Sequence, residues 1–439
     1  MNEDFKIPVV GKPAIKSPLL LSKVEGDGVF DYIESSDRVL YDPTLDNFYK
    51  SKNENTEPLS FEKAGPKEFI YFDPPKTKVA IVTCGGLCPG LNNVIRSIVL
   101  QLYYRYKVTR VIGIKYGYEG FIPEYNHPII DLTPEVVERI HLFGGTLLGS
   151  SRGKQDVCQI VDSLERMNVN ILFTIGGDGT LRGALAIKEE IEKRNLKIAV
   201  AGIPKTIDND IGYISKSFGF ETAYSIAEAI VHVAHNEAIG AYNGITIVKL
   251  MGRHSGFIAA NAALSTQDTN FVLIPEMDFD LEGENGFLEA LKKRILQRHH
   301  ALIVVAEGAG QHIFEGEPKK YDESGNLLNK DIGLHLKSVI DEFFKSLDIR
   351  VSIKYIDPSY IIRSARAIAD DSKFCLQLSQ NAVHAAMAGK TGFVVGYWNG
   401  QFTLLPISLA VRERQKINLE SELWWNVLEV TGQPVSMKN

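Results

Sequence analysis

The stretch KVAIVTCGGLCPGLNNVIR, Lys78 to Arg96, runs from an apolar segment through a pair of glycines into a helical pattern. Its first part, KVAIVT, is β-branched and does not alternate with polar residues, which suits a strand buried on both faces of a parallel sheet. Gly85 and Gly86 then let the backbone turn tightly, and apolar residues at helical spacing begin near Leu91. A strand, a glycine turn and a helix in this order form one half of a βαβ unit.

The same grammar recurs outward from this stretch. Apolar runs lie at 108–116, 169–175, 197–203, 244–251, 270–275, 301–307 and 392–398. Helical patterns separate them, among them 91–106, 181–194 and 221–236. Alternating elements of this kind predict an α/β protein with open, doubly wound sheets, whose ligands bind beyond the carboxyl ends of the strands. Residues 1 to about 75 are richer in Pro, Ser, Asn, Asp and Glu, and read as an extension that wraps or precedes the main body. The length of 439 residues suits two domains in addition to that segment.

Composition narrows the function. The chain is 44% hydrophobic and 23% charged with a net charge of −6, so no basic face argues for nucleic acid. No apolar run reaches the roughly 18 residues of a membrane span, and the start, MNEDFKIPVV, lacks the pattern of a secretory signal. The four cysteines, Cys84, Cys88, Cys158 and Cys375, include one C-x3-C spacing without a second pair. Reduced thiols in a cytoplasmic protein are the expectation. The acidic stretch EMDFDLEGEN, 276–285, is expected to be a solvated loop, and His232 and His235, which share a helix face, to be structural.

Polar clusters fall where the strands end. In TCGGLCPGLNNVIR, glycines followed by a helix start suit a phosphate, and equally a tight turn without a ligand. In GGTLLGSSRGK, 144–154, Arg152 and Lys154 stand among glycines, as a phosphate clamp or as solvated cations. FTIGGDGTLRGA, 173–184, leaves Asp178 at a strand end, suited to magnesium carrying a polyphosphate or to a helix cap, a role Thr180 fits better. GIPKTIDNDI, 202–211, holds Lys205, Thr206, Asp208 and Asp210, where an aspartate could take a proton from an attacking hydroxyl or form an Asx turn. VKLMGRHSGFIA, 248–259, places Arg253 after another strand. Glu307 ends VVAEGAG, and Lys354, Tyr360 and Arg363 lie in IKYIDPSYIIRSA. An acid suits sugar hydroxyls, and cations suit a second phosphate. Together these are the parts that phosphoryl transfer uses, positioning and charge stabilisation.

The order CGGLCPGLN, GGTLLGSSRG, GGDGT, PKTIDND, MGRHSGF, EGAG and PSYIIRS resembles the 6-phosphofructokinase family over about residues 78–410, within its long plant- and trypanosome-like branch. The resemblance implies two Rossmann-like domains with mainly parallel sheets. Residues 76–219 with 362–412 would bind the phosphoryl donor, and 220–361 with 413–439 fructose 6-phosphate. It implies Asp208 as the base that deprotonates the 1-hydroxyl of fructose 6-phosphate, with Thr206, Asp210 and Arg253 beside it. Asp178 would serve the magnesium–phosphate complex. Gly86, Tyr118, Arg152, Gly177, Gly179, Thr180, Gly183 and Lys205 match ATP-side positions. Met251, Gly252, Arg253, Glu307, Lys354, Tyr360 and Arg363 match sugar-phosphate positions. Gly244 stands where short bacterial enzymes have an arginine from a neighbouring subunit, and Asn243 is a candidate replacement. A homo-oligomer, a dimer or tetramer, is implied as well.

The donor is the finer question. Similar enzymes that use pyrophosphate carry aspartate at position 179 and lysine at 205, and typical ATP enzymes carry glycine at both. Here Gly179 accompanies Lys205. Glycine removes the bulk and charge that would meet an α-phosphate, so ATP is expected and pyrophosphate is the alternative. A lipid or NAD kinase shares the GGDGT-like motif but not the sugar-site motifs. A non-catalytic sensor would be expected to lack Asp178 or Asp208.

Overall fold

A computed structural model describes residues 5–24, 26–316, 318, 320, 321 and 327–439. It divides into two compact units. Unit 1 comprises the chain up to Thr206, Ile211–Gly219 and Ser364–Arg414; unit 2 comprises Ile207–Asp210, Phe220–Arg363 and Gln415–Asn439.

Unit 1 is built on a nine-stranded sheet. Its centre is parallel, in the order Arg110–Ile114, Lys78–Thr83, Ile171–Gly176, Ala199–Pro204 and Phe393–Trp398. Every residue of Ile171–Gly176 and of Ala199–Pro204 is buried, which is why these runs carry no polar alternation. From Lys78–Thr83 the chain goes first to one neighbour and later to the other, so the strand order reverses there. A crevice at such a reversal is where open α/β sheets bind ligands.

Four strands flank this centre in antiparallel pairing. Ile129–Asp131 adds to one edge. Gln401–Pro406, Ser60–Lys63 and Arg38–Leu40 extend the other. Two strands of the extension expected over residues 1–75 are therefore built into the sheet, and Ile15–Lys16 pairs with Phe69–Ile70 in a separate two-stranded sheet, while residues 1–4 and 25 lie outside the described residues. Phe61 is 1% exposed and its ring lies 5.4 Å from Phe5 and 5.8 Å from Trp398. Glu62 takes Lys390 at 2.8 Å and Lys67 at 3.2 Å. Burying one aromatic of this size contributes about 1.5–3 kcal/mol toward holding this short polar segment in the sheet.

Two helix boundaries differ from expectation. The helix after the first glycine turn is Leu91–Leu100, and the chain continues as a π-helical turn, Gln101–Tyr106. The helix after GGDGT is Asp178–Lys193, with Gly177 as its N-cap residue. Thr180 is thus in the first turn rather than at the cap. It packs so closely under Gly176 that a Cβ there would lie 2.1 Å from its Oγ1.

Unit 2 holds a four-stranded parallel sheet in the order Phe271–Leu273, His300–Ala306, Gly244–Leu250 and Ser352–Ile356. The central strand Gly244–Leu250 again marks a reversal of strand order. The stretch 276–285 departs from a simple solvated loop: Phe279 is fully buried and its ring stacks edge-on to Phe287 at 6.1 Å. His232 and His235 face Asp268 Oδ2 at 3.6 and 3.4 Å. Among the described residues no helix is long and apolar enough to cross a membrane, and all four cysteines are free thiols.

Candidate active site

In unit 1 two glycine turns lie side by side, because the strands that precede them are neighbours in the sheet. The first turn is held by Gly85 N–H donating to Ser151 O at 3.1 Å and by Ser150 Oγ donating to Gly85 O. Gly85 has φ +84°, and a Cβ on it would lie 3.3 Å from Lys205 Nζ. The loop carrying Arg152 is thereby fastened beside Gly85 and Gly86, with Arg152 itself exposed.

The second turn, Gly176–Gly179, runs into the first turn of the helix Asp178–Lys193. Lys205 N–H donates to Gly176 O at 3.1 Å, and its buried side chain donates to Gly86 O. Lys205 therefore links both turns. A Cβ at Gly177 would come within 3.3 Å of Lys205 O, whereas one at Gly179 would meet nothing within 4 Å. Position 179 thus opens on space at the positive end of a helix.

Tyr118 lies against the second turn. It is 8% exposed, and its hydroxyl donates to Thr180 O at 2.8 Å. Its ring fills the space beside Gly183, where a Cβ would lie 2.6 Å away. Tyr118 and Gly183 support the turn from beneath, and Gly179 and Asp178 form its open side.

Asp178 has neighbours that spacing alone does not reveal. Its Oδ2 accepts from Arg182 Nε at 3.2 Å and from an Arg414 guanidinium nitrogen at 3.3 Å. Arg182 is four residues along the same helix, a signal available in sequence. Arg414 comes from the far end of the chain and has none. Among the described residues no group of three or more His, Cys, Asp or Glu could hold a metal ion. A single carboxylate beside a phosphate-type turn nevertheless fits magnesium, which typically takes one or two carboxylates and completes its shell with phosphates and water.

The chain leaves unit 1 after Thr206, whose carbonyl accepts from Ser217 Oγ at 2.7 Å. Asp208, Asn209 and Asp210 belong to unit 2. Asn209 adopts φ +52°, a left-handed conformation that asparagine tolerates better than most residues. Ser255 Oγ donates to Asp208 O at 2.9 Å, and Gln415 N–H donates to Asp210 O at 2.9 Å. Asp210 is 7% exposed and Asp208 only partly buried.

Around this segment in unit 2 stand the loops that follow the parallel strands. Met251, Gly252 and Arg253 follow Gly244–Leu250, and Gly252 has φ +131°. Gly308 N–H donates to Gly252 O at 3.0 Å, and Glu307 N–H donates to Leu250 O at 2.9 Å. Burial pushes the Glu307 carboxyl up, against the opposing pull of Arg253, Lys249 and Arg363. These charges around one partly buried acid draw Arg253, Glu307 and Arg363 into a common electrostatic environment.

Lys249, which the sequence reading passed over, organises its far side. Its Nζ lies 2.8 Å from Asp331 and 2.9 Å from Asp357. Burial lowers the Lys249 pKa, and its hydrogen bonds to these carboxylates more than restore it. Asp357 in turn accepts from Ser359 N–H at 3.1 Å and from its hydroxyl, at the start of the helix Ser359–Arg363. That helix carries Tyr360, which is 82% exposed.

Lys354 and Asn243 are not gathered with this group. Lys354 pairs with Glu237 and donates to its carbonyl at 3.2 Å. Asn243 donates to Arg350 O at 3.0 Å and its Oδ1 meets His299 at 3.1 Å. Both ends of the Asn243 amide are engaged inside unit 2.

Comparison with known proteins shows the family of the chain. The family model described as Phosphofructokinase matches residues 78–386. An ATP-dependent 6-phosphofructokinase of Borreliella burgdorferi is 53% identical, covering 100% of this chain and 98% of the relative. ATP-dependent 6-phosphofructokinase 7 of Arabidopsis thaliana is 47% identical, covering 86% of this chain and 77% of its own. A crystal structure of the pyrophosphate-dependent phosphofructokinase of Marinobacter aquaeolei superposes with a TM-score of 0.67 at 19% identity, covering 82% of this chain and 92% of that one. At that identity the likeness concerns the fold.

Proposed function

We propose, on the premise that the chain belongs to the phosphofructokinase family, that this phosphotransferase moves the γ-phosphoryl group of ATP to the 1-hydroxyl of fructose 6-phosphate in glycolysis. The observation that carries ATP as the donor is the open space at Gly179, where a side chain would meet nothing within 4 Å. The relatives named ATP-dependent support the same choice.

In this reading unit 1 binds the donor. Gly86, Gly177, Gly179, Thr180 and the backbone around them receive the phosphates, Arg152 approaches from the neighbouring loop, and Lys205 adds a cation below. Tyr118 and Gly183 hold the turn in shape. Asp178 holds magnesium, which when bound neutralises charge on the transferring phosphate oxygens. Arg182 and Arg414 keep the Asp178 carboxylate oriented.

Unit 2 binds the sugar phosphate. Met251, Gly252, Arg253 and Glu307 receive the sugar, and Arg363 with Tyr360 the 6-phosphate. Lys354 belongs to that second group only if its Glu237 pairing opens. Asp208 accepts the proton of the 1-hydroxyl as that oxygen bonds to the γ-phosphorus. The bond from phosphorus to the bridging oxygen breaks, and ADP leaves. Thr206, Asp210 and Arg253 stand beside the reacting groups. A homo-oligomer, dimer or tetramer, and a cytoplasmic location complete the proposal.

Turnover of fructose 6-phosphate by the purified protein, compared with ATP and with pyrophosphate, tests it. Equal or faster turnover with pyrophosphate would favour the second reading, which rests on Lys205. No turnover with either donor would overturn the reaction itself.

A further inference from the structure

Glu276 lies in the acidic stretch expected to be a solvated loop, yet it is partly buried. Oε1 accepts two main-chain hydrogen bonds, from Gly256 N–H at 3.0 Å and from Ile417 N–H at 2.9 Å. Oε2 is buried and accepts none among the described residues. Gly256 stands so close that a Cβ on it would lie 3.2 Å from Oε2 and 2.3 Å from Ile274.

The two donors belong to segments that each reach the candidate catalytic residues. Gly256 follows Ser255, whose hydroxyl donates to Asp208 O. Ile417 follows Gln415, whose N–H donates to Asp210 O. These bonds form a closed circuit inside unit 2: Asp208, Ser255 and Gly256, Glu276, Ile417 and Gln415, Asp210. Each bond fixes a main-chain group, so the circuit restrains the backbone of 208–210 rather than one side chain. Asn209, at φ +52°, lies inside this circuit in the left-handed conformation that asparagine tolerates.

We infer that Glu276 is a positioning residue for Asp208, holding the 208–210 segment through Ser255–Gly256 on one side and Gln415–Ile417 on the other. The inference rests on the proposed role of Asp208 as base. Two properties suit Glu276 to it. A carboxylate oxygen accepts two N–H groups at once, which apolar residues cannot do. Burial also pushes the Glu276 carboxyl up, against the pull of the Ile417 and Gly256 amides, so the site disfavours the charged form relative to water.

Glu276→Ala and Glu276→Gln separate this role from ordinary packing. The wild-type chain is first assayed with fructose 6-phosphate and MgATP, and failure at that step counts against the proposed function alone. Given wild-type turnover, Glu276→Ala is expected to lower kcat on the order of tenfold or more, since small misplacements at a reacting centre cost this much. The KM for ATP stays within about twofold. Glu276→Gln, whose amide oxygen accepts the same two bonds, is expected to restore most of kcat.

A kcat for Glu276→Ala near wild type overturns the inference. So do equal losses in the alanine and glutamine variants. If the alanine variant does not fold, Ser255→Ala cuts the same circuit at Asp208. It is expected to lower kcat with little change in KM for ATP, and an unchanged kcat overturns the inference.

Discussion

Lys205 Nζ donates to the main-chain oxygen of Gly86. One side chain from the end of the strand Ala199–Pro204 thereby reaches the glycine turn that follows Lys78–Thr83. Its cation is fixed below the first turn, and Gly179 of the second turn opens on space. The donor choice then follows from what position 179 carries. Gly179→Asp is expected to lower kcat/KM with ATP by roughly a hundredfold or more, because like charges about 4 Å apart repel by about 4 kcal/mol at an effective dielectric of 20. Pyrophosphate turnover should fall far less. An aspartate in the first helical turn is favourable to the helix, so the variant should fold. Paired kcat/KM values for the two donors read the result, and an unchanged ATP value would remove Gly179 from donor selection.

Asp208→Asn keeps the shape of the side chain and the main-chain carbonyl that Ser255 holds at 2.9 Å. It removes only the proton acceptor. The expected loss in kcat is about 10²–10⁴, with KM for fructose 6-phosphate within a few-fold of wild type. Steady-state kinetics with each substrate varied in turn check it. Near-normal kcat would remove Asp208 as the base.

Gly308 faces the Arg253 main chain so closely that a Cβ would lie 2.0 Å from Arg253 O and 2.7 Å from its carbonyl carbon. Both atoms are backbone, so the Met251–Arg253 loop must move to admit a methyl group. Gly308→Ala is expected to raise KM for fructose 6-phosphate about tenfold or more while leaving KM for ATP nearly constant. Overpacking of this kind also costs about 1–3 kcal/mol of stability. Kinetics and a thermal melt read the two effects separately, and an unaltered sugar KM would show that the loop does not bear on the sugar site.

His384 pairs with Tyr106 at 2.7 Å, and burial lowers its pKa from 6.5 to about 4. The unfolded chain therefore binds this proton at higher pH than the folded chain does. Stability is complete above pH 6.5 and declines as pH falls toward 4, by about 2 kcal/mol at pH 5 from this group alone. His384→Gln should flatten that part of the acid limb. Melting temperatures at pH 7.5 and pH 5.0 for both proteins test the point. An identical drop in the two would mean that His384 is not the group responsible.

The strand runs and glycine turns were readable because their physics is local. A strand buried on both faces is expected to be nearly all apolar, and Ala199–Pro204 is wholly so, while Ile171–Gly176 admits one polar residue, Thr174, whose hydroxyl donates to Ala201 O at 3.3 Å. Glycine must stand where a Cβ would strike a neighbour, as Gly176 does above Thr180. The strand Ser60–Lys63 was not readable. Its four residues include Ser, Glu and Lys, and only pairing with Gln401–Pro406 and burial of Phe61 make it part of the sheet. The same holds for Glu276, which looked like one acid among several until two distant N–H groups converged on it.

By itself, then, the sequence determined which residues end the strands, and with them the alternation of elements and the chemistry available at the strand ends. Short-range sterics and burial settle those matters within a few residues. The tertiary structure alone decided which of the polar residues have work to do near one another. It brought Arg414 to Asp178 across the chain and engaged Asn243 and Lys354 elsewhere. It also brought the buried Tyr118 hydroxyl to Thr180 O, 62 residues along the chain. Hydrogen bonds and ion pairs act only over a few ångströms, so their partners are chosen by the folded path of the backbone and not by spacing along it.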